Sequence, residues 1–191
     1  EIGYQTETFL QGKFPANEGI WINAQCIANA EFASIVSNLR VGEALYHRGK
    51  LIAKYGEEKS RVQTDFDNLI LLENRWDLYL KNDAILRQDF ELATNQKVSK
   101  DLSKTNLLIG TAQELFIEEG ARIEGATLNT THGPIYVGKN AEIMEGSMLR
   151  GPLAIMDGAV VKMGAKIYGA TTIGPECRIG GEVSNSVFQS Y

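Results

Sequence analysis

The sequence predicts an α/β segment over residues 1–94 joined by a linker at 95–106 to a β-solenoid over 107–191. Three observations carry this division. From Val137 to Val183 the chain repeats with a period of six, residues 1–94 show no such period, and the stretch between is the polar, lysine-bearing "NQKVSKDLSKTN". A period of six suits neither an amphipathic helix nor one long strand, so the repeat itself is the structural unit.

In the first part, "EGIWINAQC" (18–26) alternates apolar and polar residues as a strand does. "NAEFASIVSNLR" (29–40) places Phe32, Ile35, Val36 and Leu39 at helical spacing, with Asn29 as the N-cap. "EALYHRGKLIAKY" (43–55) reads as a hairpin turning at Arg48-Gly49, with His47 exposed beside the turn. "NLILLEN" (68–74) reads as a buried strand. From Asn74 to Thr94 two short helices meet near Asn82-Asp83, one placing Trp76 and Leu80 on a face, the other Leu86 and Phe90.

In the solenoid, aliphatics recur at Val137, Ile143, Leu149, Ile155, Val161, Ile167, Ile173 and Ile179. Four residues after each comes a second, mostly small residue: Ala141, Ser147, Leu153, Ala159, Ala165, Thr171, Cys177 and Val183. Each hexapeptide supplies a short strand and a corner, and three of them close one triangular coil. Coils then stack about 4.8 Å apart, with Val137 over Ile155 over Ile173 and Ile143 over Val161 over Ile179. No repeat buries its own face, so stability comes from stacking. Ile117, Ala121, Ile123 and Thr127 already hold the register, which places the start of the coils at "LFIEEGARIEGATL". Residues 129–136, "NTTHGPIY", carry two extra residues and predict a protruding corner. After Val183 the step fails, with Asn185 where an aliphatic is due and Val187 and Phe188 off phase.

The formal charge is −5 without a basic run, which argues against nucleic acid or an anionic membrane surface as partner. No stretch approaches the roughly twenty apolar residues of a membrane span, and no signal peptide opens the chain. Cys26 and Cys177 read as reduced structural thiols. A cytoplasmic location follows, and "NTT" at Asn129 is then no glycosylation site. The chain opens at Glu1 rather than Met and shows no capping element before Tyr191, so it reads as an internal fragment.

The repeat pattern (aliphatic, often Gly, two variable residues, then Ala, Ser, Thr, Cys or Val) resembles the hexapeptide repeat of left-handed β-helix acyltransferases. The run 133–187, beginning "GPIYVGKNAEIMEGSMLRGPLAIMDGAVV", is similar to a narrower group. That group is the bifunctional N-acetylglucosamine-1-phosphate uridyltransferase/glucosamine-1-phosphate acetyltransferases, above all their divergent sugar-nucleotidyltransferase-like relatives. "ILLEN" leading to "WDLYLKNDAILRQDF" resembles the closing segment of that group's nucleotidyltransferase-like domain. The group's Gly-rich phosphate loop, with its following Arg and Lys, is absent here and is expected upstream of Glu1. The resemblance implies a left-handed β-helix, acetyl-CoA-dependent acylation of an amino-sugar phosphate, nucleotidyl transfer with Mg²⁺, and a homotrimer. The fragment alone is expected to be inactive. Two rivals stand beside it: a sugar-1-phosphate nucleotidyltransferase with a purely structural solenoid, and a non-enzymatic scaffold or sugar-nucleotide sensor.

By the same resemblance, Arg150 in "MLRGPLAIMDGAVV" (148–161) matches an arginine that grips the sugar phosphate, a task suited to the guanidinium fork. Lys162, two corners on, adds a second positive charge, and Tyr168, eighteen residues after Arg150, stacks beside it on the same corner. The family's catalytic histidine is expected beyond Tyr191, which leaves His132 as a weak catalytic candidate in this chain. No metal site is expected, since two histidines do not build a three-histidine zinc site. "GPIYVGKN" (133–140) matches part of a phosphate-binding loop, but Asn140 replaces the metal-binding hydroxyl and the segment runs into solenoid strands, so the match is coincidental.

Overall fold

The structure, a computed structural model, describes residues 19–191. Glu18, the first residue of the expected strand, lies outside them. The chain divides into two compact units, one ending at Glu73 and the other running from Asn74 to Tyr191.

The first unit contains β1 (Ile20–Ile22), β2 (Cys26–Ile27), α1 (Ala30–Ser37), β3 (Glu43–His47), β4 (Lys50–Tyr55), β5 (Ser60–Gln63) and β6 (Ile70–Leu71). Asn29 caps α1 as expected, its side chain accepting from Phe32 N–H at 2.8 Å. Strands β3 and β4 form the expected antiparallel hairpin. Its turn residues Arg48 and Gly49 both have positive φ, the twist that matches a tight hairpin. One sheet runs β1-β4-β3-β5, and β2 pairs antiparallel with β6. Phe32, Val36 and Leu39 bury against Leu45, Ile52, Ala53 and Phe66. The strand expected over 68–74 is only Ile70–Leu71, half-buried, because its partner β2 is itself two residues long.

His47 corrects a second expectation. It is 2% exposed rather than a solvated hairpin residue. Strand β3 lies inside the sheet, between β4 and β5, and only Arg48 and Gly49 turn outward. The Phe66 N–H donates to His47 Nδ1 at 3.3 Å, and the two rings meet edge to face at 5.7 Å.

The second unit opens with α2 (Asp77–Leu80) and α3 (Asn82–Thr94), helices expected to complete the first part. They pack instead with the coils: Leu86 buries against Ala154 and Ala170, and Asn82 donates to the Ala170 carbonyl at 2.9 Å. The division between units therefore falls at Glu73 and not at 94. The segment 95–106 is no free linker either. Ser99 Oγ accepts from Ile117 N–H, Lys100 N–H donates to Ile117 O, and Asn106 Nδ2 donates to Ile123 O while its Oδ1 accepts from Ala126 N–H. With Leu102 packed on the core, this polar stretch closes the open strand edge of the first coil. Its polarity serves hydrogen bonding to backbone, which composition alone does not distinguish from solvation.

The coils form a parallel β-helix with three faces. The first face holds β7 (Leu107–Ile109), β10 (Thr127–Asn129), β13 (Met148–Arg150), β16 (Lys166–Tyr168) and β19 (Glu182–Ser184). The second holds β8 (Leu115–Ile117), β11 (Ile135–Val137), β14 (Leu153–Ile155), β17 (Thr171–Ile173) and β20 (Val187–Phe188). The third holds β9 (Arg122–Ile123), β12 (Glu142–Ile143), β15 (Val160–Val161) and β18 (Arg178–Ile179). Val137 pairs with Ile155 and Ile155 with Ile173; Ile143 pairs with Val161 and Val161 with Ile179. These ladders, with buried Ala141, Ser147, Ala159 and Ala165, fill the interior as the six-residue period requires.

The register departs from eighteen in three places. Ile123 pairs with Ile143, twenty positions on, so the two extra residues are there as expected. They arise from a corner of five residues, 130–134, where 151–152 suffices in the next coil, offset by one residue fewer between β9 and β10. The preceding coil has the same long corner at 110–114, so coiling starts at Leu107, before "LFIEEG". Beyond Ile179 the coil shortens but persists: Val183 takes the inward place beside Ile167, and Phe188 the place beside Ile173.

Candidate functional site

The corner between the first and second faces gathers the polar residues with chemical potential. Strands β10, β13 and β16 end there at Asn129, Arg150 and Tyr168. Asn129 pairs with Arg150, and the Leu149–Ile167 pairing carries Arg150 and Tyr168 onto successive rungs. Neighbouring strands lie about 4.8 Å apart, so these side chains rise from one edge. Arg150 is exposed, and its guanidinium has no hydrogen bond or ion pair among the described residues. The Tyr168 hydroxyl donates to Glu182 Oε1 at 2.6 Å, and that bond raises its pKa.

The long corner 130–134 brings His132 to the same edge. Asn129 Oδ1 accepts from both Thr131 N–H at 3.0 Å and Thr131 Oγ1 at 2.6 Å, and Thr131 Oγ1 lies 2.9 Å from His132 Nδ1. Arg87 of α3 donates to the His132 carbonyl at 2.6 Å while its Nε holds Asp83 at 2.7 Å. Its hydrogen bond to Asp83 raises the Arg87 pKa further. Gly133 is fitted between the Arg87 guanidinium and Pro152: a Cβ added there would meet both at 3.0 Å. The loop conformation is thus held from two sides.

Lys162 lies elsewhere. It follows β15 of the third face and precedes β16, at the corner where Ser147 Oγ donates to its carbonyl. The coils bring Arg150 and Tyr168 together but put Lys162 at another edge. The cause is the count: twelve residues from Arg150 is two corners of a three-cornered coil. Asn129, Thr131 and Arg87 were absent from the sequence candidates. The Asn-x-Thr pattern, which favours a side-chain-closed turn, was the one available signal; Arg87 joins only through the docking of α3.

A separate cleft of about 390 Å³ lies between α2 and the last coil, lined by Arg75, Leu78, Tyr79, Asn185, Val187 and Phe188 among others. None of these was a sequence candidate.

A profile of the sugar nucleotidyl transferase family matches residues 1–98. The chain belongs to the sugar nucleotidyl transferase family. The match runs through α2 and α3, so the family segment ends with helices that pack on the β-helix. A comparison with curated proteins found no match. Family membership makes the chain a transferase of sugar-nucleotide chemistry. Among the described residues of this sugar nucleotidyl transferase, no group of three or more His, Cys, Asp or Glu is placed to hold a metal ion. No helix of the described residues is long and apolar enough to cross a membrane.

Proposed function

We propose that the intact protein transfers a nucleotidyl group to a sugar 1-phosphate and uses acetyl-CoA to acylate an amino-sugar phosphate. The observation that carries this reading is the sugar nucleotidyl transferase segment at 1–98 continuing, in one chain, into a parallel β-helix of six-residue period. In nucleotidyl transfer the sugar phosphate oxygen attacks the α-phosphorus of a nucleoside triphosphate and expels pyrophosphate. On the β-helix, Arg150 binds the sugar phosphate by its two-pronged guanidinium and Tyr168 borders the same ligand. Lys162 contributes positive charge from its own edge. The first face exposes Leu107, Ile109 and Met148, and we assign this face to self-association as a homotrimer. Free Cys26 and Cys177 suit a cytoplasmic setting.

Two assays test the proposal on the protein extended at both ends: pyrophosphate release from nucleoside triphosphates with sugar 1-phosphates, and thiol release from acetyl-CoA with glucosamine 1-phosphate. Both are expected, and thiol release should fall at least about tenfold in Arg150→Ala, the scale of a charge-assisted contact. A second reading, in which the β-helix is purely structural, draws support from the separation of Lys162 from Arg150. Pyrophosphate release without thiol release would select it. Binding of a sugar nucleotide with neither release would overturn both in favour of a sensor.

A further inference from the structure

We propose that the corner carrying Asn129, Thr131, His132 and Arg150 is a two-point site for a sugar phosphate. Arg150 takes the phosphate, and Nε2 of His132 accepts a hydrogen bond from a sugar hydroxyl. This deepens the reading of Arg150 as a phosphate contact and rests on it.

The hydrogen bonds determine which nitrogen of His132 faces the ligand. Thr131 N–H, a donor whose identity is fixed, points at the Asn129 side chain at 3.0 Å, so the atom there is the amide oxygen. Thr131 Oγ1 also meets that oxygen, at 2.6 Å, and must donate its single proton to it. Its oxygen then accepts from His132 Nδ1–H at 2.9 Å. In the neutral ring Nε2 carries no proton and presents a lone pair from an exposed loop. A lone pair does not bind a deprotonated phosphate oxygen, but it does bind a hydroxyl.

The cation is set one rung away. Arg150 pairs with Asn129, the residue that anchors the chain of bonds, and Gly151 N–H donates to Asn129 O at 2.9 Å. The second guanidinium at this corner, Arg87, is engaged by Asp83 and by the His132 carbonyl. Arg150 is left as the arginine able to take a doubly charged group. One anion contact and one hydroxyl acceptor on the same corner, Arg150 paired with Asn129 and His132 bonded through Thr131 to the Asn129 side chain, match a phosphorylated sugar better than inorganic phosphate.

Two measurements on the full 191-residue chain test this. Long-range ¹⁵N–¹H spectra of the imidazoles, with His132 assigned by its loss in His132→Ala, should show the proton on Nδ1; a proton on Nε2 would overturn the proposal. Binding of glucose 1-phosphate and of inorganic phosphate is then compared by titration calorimetry. Arg150→Ala should weaken both ligands about tenfold or more, whereas His132→Ala should weaken glucose 1-phosphate about fivefold and inorganic phosphate by less. Loss of both ligands in Arg150→Ala with no effect of His132→Ala on either overturns the two-point site while keeping the phosphate reading. No effect of Arg150→Ala on either ligand overturns both. His132 is on an exposed loop, so unchanged circular dichroism is expected to accompany its replacement.

Discussion

Asn82 and Ala170 are 88 residues apart in sequence and joined by a buried hydrogen bond of 2.9 Å from the Asn82 amide to the Ala170 carbonyl. The same side chain accepts from Thr172 Oγ1 at 3.1 Å. One residue at the start of α3 thus satisfies a corner and a strand of the second face. Replacing it with Ala removes both bonds and strands the Ala170 carbonyl, a loss of about 1–3 kcal/mol for buried groups left unpaired. Chemical denaturation of Asn82→Ala checks this. A change under about 0.5 kcal/mol, the scale of a neutral surface substitution, would show that α3 docks without Asn82, through Leu86 and Arg87.

His47 offers the corresponding test in the first unit. Phe preserves the ring that packs edge-on against Phe66 but leaves the Phe66 N–H without its acceptor. His47→Phe is expected to lower the stability of this unit by about 1–3 kcal/mol, read from urea unfolding followed by Trp21 fluorescence. If the variant matches the parent, the ring's packing and not its nitrogen is what places it there.

Periodicity revealed the β-helix because every inward position repeats one demand, and each rung Val137–Ile155–Ile173 confirms the previous one. The N-cap Asn29 and the Arg48-Gly49 turn were legible for a similar reason, since local geometry restricts the residue types. What failed was long-range. His47 sits beside a turn in sequence, and nothing local says that β5 will cover its strand. The segment 95–106 looks solvated because backbone edges are capped by the same residues that water favours. At the corner, Arg150 and Tyr168 followed from counting eighteen, whereas Lys162 required counting corners and Arg87 required the docking of a helix.

Tyr136 gives a pH dependence. Its pKa is pushed up to about 12, by burial first and then by the Glu118 carboxylate, which accepts its hydroxyl at 3.1 Å. The folded state therefore holds this proton more tightly than the unfolded state, whose tyrosine titrates near 10. Its contribution is fully present below about pH 10 and is lost as pH rises through about 12. Tyr136→Phe, which keeps the stack on Phe116, should flatten the fall of melting temperature between those values. An equal fall in parent and variant would assign the loss to other groups.

Arg150 and Lys162 occupy different corners, so their substitutions should not couple. Lys162→Ala is expected to change inorganic phosphate affinity by no more than about twofold, whether introduced into the parent or into Arg150→Ala, as for sites without shared partners. Calorimetry of the four proteins measures it. A tenfold loss in Lys162→Ala would mean that one ligand spans both edges.

Ala159 tests the small position that follows each aliphatic. It is fully buried, between Ala141 and Cys177 of the adjacent coils, with Glu142 N–H donating to its carbonyl and Val160 N–H to that of Cys177. Three small side chains in a column allow the corner backbones to close at strand spacing. Leu at the middle position needs room that neither neighbour can yield without breaking those bonds, and overpacking of this kind costs about 1–3 kcal/mol or more. Ala159→Ser, by contrast, copies Ser147, whose buried hydroxyl donates to the carbonyl of Lys162 at 3.1 Å, and should cost less. Thermal unfolding of the two variants ranks them. If Leu is tolerated as well as Ser, the small residues reflect composition and the corners are set by their glycines.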